Sequence, residues 1–126
     1  MEYTVIVTNS GRGAVDNNST VLTDAVPANM AMYVDTGSGD PVTFSCSGTP
    51  LCGLTFNYGT NVRYTNTFPL PALLAPPNAC GNFTYSPSGS YDAGVRGVCV
   101  NPAGILNGST GPPDPQFTIK YRMRIN

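Results

Sequence analysis

A chain of 126 residues has the length for one domain over one real core, and no room for two. Its six basic and seven acidic side chains leave a formal charge of −1. So thin and balanced a charge argues against nucleic acid and anionic membrane surfaces, which call for a concentrated basic patch. The chain has no histidine, which excludes Ser–His–Asp and Cys–His catalysis and removes the commonest metal ligand.

In chain order, Tyr3-Thr4-Val5-Ile6-Val7-Thr8 alternates as a β-strand and breaks at Asn9-Ser10-Gly11. Tyr3, Val5 and Val7 share the face expected to meet the core, which leaves Ile6 outside and in need of cover. A polar loop leads to a second strand over residues 20–24, ended by Pro27, which cannot donate to a ladder. Met30, Met32 and Val34 alternate as a third strand. Residues 35–41 form an exposed turn. Val42, Phe44 and Cys46, then Leu54, Phe56 and Tyr58, predict a hairpin over 42–58.

Residues 62–68 read as a weaker strand, and 69–82, with its prolines, as a covering loop. Within it Leu70–Ala75 suits one turn of helix, and nothing longer is expected. Residues 94–100 form a strand with Gly97 as a candidate bulge. After the loop 107–115 comes the clearest strand in the chain, with Phe117, Ile119, Tyr121, Met123 and Ile125 on one face and Thr118, Lys120, Arg122 and Arg124 on the other. Eight or nine short strands with Gly/Pro-rich turns predict an all-β, single-domain antiparallel β-sandwich over residues 1–126, immunoglobulin-like by preference and a closed barrel otherwise.

The cysteines are Cys46, Cys52, Cys80 and Cys99. Their even number in a Lys-poor β domain points to two disulfides and an exported protein, against four buried free thiols. Of three connectivities, Cys46–Cys52 and Cys80–Cys99 are favoured because each links sequence neighbours. Zinc is disfavoured by the spacing and by the missing histidine.

The opening Tyr3–Gly11 run, followed by Leu22-Thr23-Asp24-Ala25-Val26-Pro27-Ala28-Asn29-Met30, resembles the conserved repeat of bacterial surface proteins known as domain of unknown function eleven. That family reads Y-T-V-T-V-T-N-x-G and then V-T-D-x-L-P-A-G-hydrophobic. The closing Phe117–Ile125 strand is similar to the family's last. The resemblance implies an immunoglobulin-like module of an exported, cell-surface or outer-membrane-associated chain, without known catalysis. Asn29 stands where the family has glycine, the segment from Cys46 to Cys99 is longer and richer in cysteine, and the family's preceding strand is missing. The last departure suggests a piece of a larger protein with an open first-sheet edge, available to a neighbouring domain or a second copy.

No enzyme, cofactor or metal site is expected. Glu2, Asp16, Asp24, Asp35, Asp40, Asp92 and Asp114 are scattered, mostly in turns, and no D-x-D-x-D cluster offers calcium its six to eight oxygens. Asp24, weighed as a calcium ligand with Asp16, reads better as a carboxylate fixing the turn into Pro27, and Asn9 as a turn residue. Lys120, the only lysine, shares a face with Arg122 and Arg124. It is expected in solvent, as part of a protected strand surface, and not in an isopeptide cross-link. Tyr33, Tyr58, Tyr64, Tyr85 and Tyr91 are a candidate sugar platform, although half-buried core tyrosines suit the pattern better. The N-x-S/T sequons at Asn17, Asn18, Asn82 and Asn107 are incidental in a bacterial chain. The expectation is therefore a structural or spacer module whose ladder and core carry tension. The alternative is an adhesive module that binds a glycan or host protein through loops 35–41, 69–82 or 107–115.

Overall fold

The computed structural model describes residues 1–126 and is nearly all β. Its strands are β1 Glu2–Thr8, β2 Leu22–Ala25, β3 Met30–Tyr33, β4 Thr43–Ser47, β5 Leu54–Thr55, β6 Val62–Thr65, β7 Tyr91–Asp92, β8 Gly97–Val100, β9 Ala103–Gly104 and β10 Gln116–Ile125. One helical turn, α1 Tyr58–Asn61, precedes β6.

β10 is the strand on which the larger sheet is built. Its ten residues pair along one edge with all of β1, from Glu2 opposite Arg122 to Thr8 opposite Gln116. The other edge is shared. Gln116–Lys120 pairs with β4 and Met123–Ile125 with β3, which β7 then extends. All of these pairings are antiparallel. A strand of ten residues is long for a small sheet, and that length is what lets one strand hold two partners end to end. β1 lies at the sheet's edge, with only β10 as neighbour.

A second sheet, in the order β2–β8–β6, packs its inner face on the first. Phe117, Ile119, Tyr121 and Met123 from β10 meet Val62, Tyr64, Val98 and Val100 in one buried cluster, so the core lies between the two sheets. The period-2 pattern explains this, since every second residue of β10 is buried. Phe117 stacks on Phe44, ring centroids 5.6 Å apart, and Phe44 on Phe56 at 5.2 Å. Tyr3, Val5 and Val7 pack against the core, and Ile6, 57% exposed, lies outside.

β8 is buried along its whole length because its outer face is covered as well. The covering loop does this: Cys80 is bridged to Cys99, and Phe83, Leu70 and Val21 close around the bridge. Gly97 is flat against that cover. A Cβ there would run into the Leu70 side chain and come within 3.2 Å of Thr65 Cγ2.

Several expectations are corrected. Residues 42–58 do not form a hairpin: β4 pairs with β10 and β5 with β9. Cys46 is bridged to Cys52, but the segment beyond leaves for a different strand. Ten strands replace eight or nine, the additions being the two-residue β7 and β9, too short to show a period. The helical turn is at Tyr58–Asn61, where the Asn57 side chain accepts from the Gly59 N–H at 3.0 Å. Leu70–Ala75 is irregular. Gly97 keeps regular register with Ala25 and Thr65, so it is no bulge. Ile125 is 67% exposed because β10 outruns the core at its last residue.

Candidate functional site

Two neighbouring features stand out on this scaffold. The first is a cleft of about 460 Å³ beside β6, walled by α1, the segment 34–36 and the segment 83–89. Helix α1 presents Tyr58 so that its hydroxyl meets that of Tyr64 at 2.8 Å, and Tyr85 pairs its backbone N–H with the Tyr64 carbonyl at 2.9 Å. Asp35 stands at the rim. Its carboxylate accepts from the Gly37 N–H at 2.8 Å and from the Ser90 hydroxyl at 3.5 Å, which fixes the loop and leaves acceptor capacity toward the opening. Arg63 also lines the cleft. Tyrosine hydroxyls, a carboxylate and a guanidinium around an open hollow can hydrogen-bond a polar, uncharged ligand.

The second feature is on the outer face of the larger sheet. Arg122 lies over the Tyr33 ring at 4.1 Å and Arg124 over the Tyr91 ring at 4.3 Å. The two rings meet edge to face at 5.2 Å. Tyr33 and Tyr91 are two residues from Asp35 and Gly89, so the stack adjoins the rim of the cleft.

The five candidate tyrosines thus divide. Tyr58, Tyr64 and Tyr85 gather in the cleft, and Tyr33 and Tyr91 lie under the arginines. Only Tyr64 is fully buried, the rest being half-buried. Burial pushes the Tyr64 hydroxyl far above its ordinary value, helped by the bond to Tyr58, and burial raises Tyr58 as well. Tyr85 is raised chiefly by its hydrogen bond to Asp92, 2.9 Å away.

Asp24 does not fix the turn into Pro27. It points inward from β2 and accepts a short hydrogen bond from the hydroxyl of Tyr121 on β10, which ties the two sheets together. Burial first, and then this bond, raises the Tyr121 hydroxyl far above its ordinary value. Asp92 closes a turn. Desolvation pulls its carboxyl up, but the N–H groups of Ser88 and Gly94 and the Tyr85 hydroxyl outweigh that and hold it below its ordinary value. Asp114 accepts from the Ser109 hydroxyl at 2.5 Å. Asn9 accepts from the Gly11 N–H at 3.1 Å and donates to the Gly13 and Asn107 carbonyls. Asp16 and Asp24 are not brought together, and no three of the chain's Cys, Asp and Glu residues form a group able to hold a metal ion. Lys120 is exposed between Thr4 and Thr43.

The three cations are exposed, as expected, but they do not protect a sheet edge, because β10 is the middle of its sheet. Sequence reasoning also missed the aromatic floor beneath them, since Tyr91 belongs to a strand of two residues. Of the expected loops, 35–41 supplies Asp35 and Thr36 to the cleft. Loop 69–82 covers β8, and 107–115 packs on the first loop, where the Ser109 N–H donates to the Gly11 carbonyl at 2.7 Å.

The tyrosines set a pH limit on the fold. Those whose folded pKa is raised add stability that is complete below the unfolded value of about 10 and lost as pH rises toward the folded one. Buried Tyr64 and Tyr121 should therefore each lower stability above pH 10 by up to about 1.4 kcal/mol per unit. Urea unfolding at pH 9, 10 and 11 checks this, and Tyr121→Phe should flatten the decline. A midpoint unchanged up to pH 11 would refute it.

Among known proteins, no family model, no curated protein and no solved structure matches this chain.

Proposed function

We propose that this domain is a non-enzymatic binding module of an exported bacterial cell-surface or secreted protein, adhesive in character. The observation that carries this reading is the open cleft of about 460 Å³ beside β6, into which α1 and the segment 83–89 bring tyrosine side chains, with the Tyr58 and Tyr64 hydroxyls 2.8 Å apart. A hollow lined by hydrogen-bonding groups suits a module that holds a ligand better than one that only spaces its neighbours.

The use of Asp24, Asp92 and Asp114 as fasteners that accept hydrogen bonds within the fold supports the non-enzymatic part of the reading. Two disulfides fit an oxidising, extracellular environment, and no helix is long and apolar enough to cross a membrane. An immunoglobulin-like class for the sandwich is part of the proposal. It is supported by two antiparallel sheets over one core, although the pairing of first strand with last lies outside the usual ABED/CFG arrangement.

A thermal-shift screen of the oxidised domain against glycans, calcium and extracellular matrix proteins tests the reading. A saturable rise in melting temperature with at least one ligand is expected, as linkage requires. A flat response to all of them would return the spacer reading to first place.

A further inference from the structure

Three of the chain's six cations, Lys120, Arg122 and Arg124, stand on one face of one strand. With Glu2 opposite Arg122 and Asp40 in the same shallow hollow as Lys120 and Arg122, that face carries +3 − 2 = +1, while the whole chain carries −1, so the rest of the molecule carries −2. The near-neutral total therefore conceals a face of net positive charge. Edge protection does not account for it, since the strand is central.

The two arginines are also held in place. Arg122 and Tyr33 lie in one row across the sheet, beside Tyr91. Arg124 reaches a ring two strands away, and it does so across Ala31, its register partner on β3. Ala31 is 2% exposed although it shares the outward face with Arg124. Stacking on a ring engages the charge of a guanidinium and not its N–H donors. Both arginines are exposed, so two planar forks remain free for oxyanions, at lower entropic cost than mobile ones. Alternate residues of a strand are about 7 Å apart, so the three cations form a row about 13 Å long.

We infer that this outer face binds an acidic polysaccharide. Arg122 and Arg124 take its carboxylate or sulfate groups in paired hydrogen bonds, and Lys120 extends the row as a point charge. A row of fixed charges on an open face suits a flexible polymer with repeating oxyanions better than a single small anion. The two disulfides place the domain where such polymers occur. The inference rests on the binding-module reading above and names a ligand class and a face for it.

The test uses the oxidised chain in affinity electrophoresis through polygalacturonate, dextran sulfate or uncharged dextran. Retardation by at least one acidic polymer and none by dextran is expected, weakening as salt rises. Polygalacturonate and dextran sulfate distinguish carboxylate from sulfate as the recognised group. R122Q/R124Q should bind at least about tenfold more weakly, while still unfolding cooperatively at a melting temperature lowered by no more than the several degrees that two lost cation–π contacts imply. R122K/R124K, which keeps the charge and loses the planar fork, should also bind more weakly. Wild-type affinity in the lysine pair, equal retardation by dextran, or equal binding of duplex DNA would each overturn the inference. If neither acidic polymer binds while a neutral glycan or a protein does, the inference falls and the binding-module reading stands. If nothing binds, both fall.

Discussion

Gly48→Ala should destabilise the domain by about 3 kcal/mol or more, a large effect for so small a change. Two costs coincide at this position. Its φ of +104° is one that L side chains rarely adopt. A Cβ there would also strike the Asp114 carbonyl and lie 2.7 Å from Pro115 Cα. Both obstacles are backbone, held by the Thr49 N–H donating to the Pro113 carbonyl at 2.7 Å and the Asn9 N–H to the Pro115 carbonyl at 2.9 Å, so neither yields easily. Gly39→Ala is the matched control. It has a similar φ of +108° with nothing within 4 Å of the added carbon, and should cost only about 1–2 kcal/mol of conformational strain. Urea unfolding of the two variants gives the comparison. Equal losses would mean that the approach of residue 48 to the 114–115 backbone is not a tight one.

Phe117→Ala should cost about 3–5 kcal/mol. The side chain is 1% exposed and stands on β10 opposite both Val7 and Cys46, stacked on Phe44. Its loss leaves a cavity where three strands meet, and the Cys46–Cys52 bridge limits how far β4 can move to fill it. Phe117→Leu, which retains most of the volume, should cost less than half as much. Chemical denaturation at pH 7 decides the matter, and a loss below 1 kcal/mol for the alanine variant would remove β10 from the centre of the core.

What the sequence made legible is what period and punctuation encode. β1 and β10 were readable because strict alternation runs through several residues, and all-β character follows from prolines and glycines that interrupt every helical window. The strand partners were not readable. Nothing in Thr43–Ser47 says that it joins Gln116–Lys120 instead of the next apolar run, because alternation fixes which face is buried and not which strand lies alongside. β7 and β9 escaped notice because two residues carry no period. The candidate site was legible only as an inventory. Five tyrosines were visible, but their division between a cleft and an arginine stack depends on α1 and on the register of β3 with β10. Asp24 was assigned locally to a turn, whereas its partner Tyr121 lies 97 residues away.

The adjacency of first and last strands has a mechanical consequence. Tension applied at the two chain ends acts at the same end of one antiparallel pair, across its hydrogen bonds and not along them. The Met1–Met123 bonds open first, then Glu2 from Arg122, and so on one pair at a time toward Thr8 and Gln116. Such a ladder unzips at low force, whereas strands pulled lengthwise past each other must break their bonds together. The domain yields readily when it is pulled by its two ends. It resists much better when the pull comes through a ligand held on β10, whose other edge stays bonded to β4 and β3.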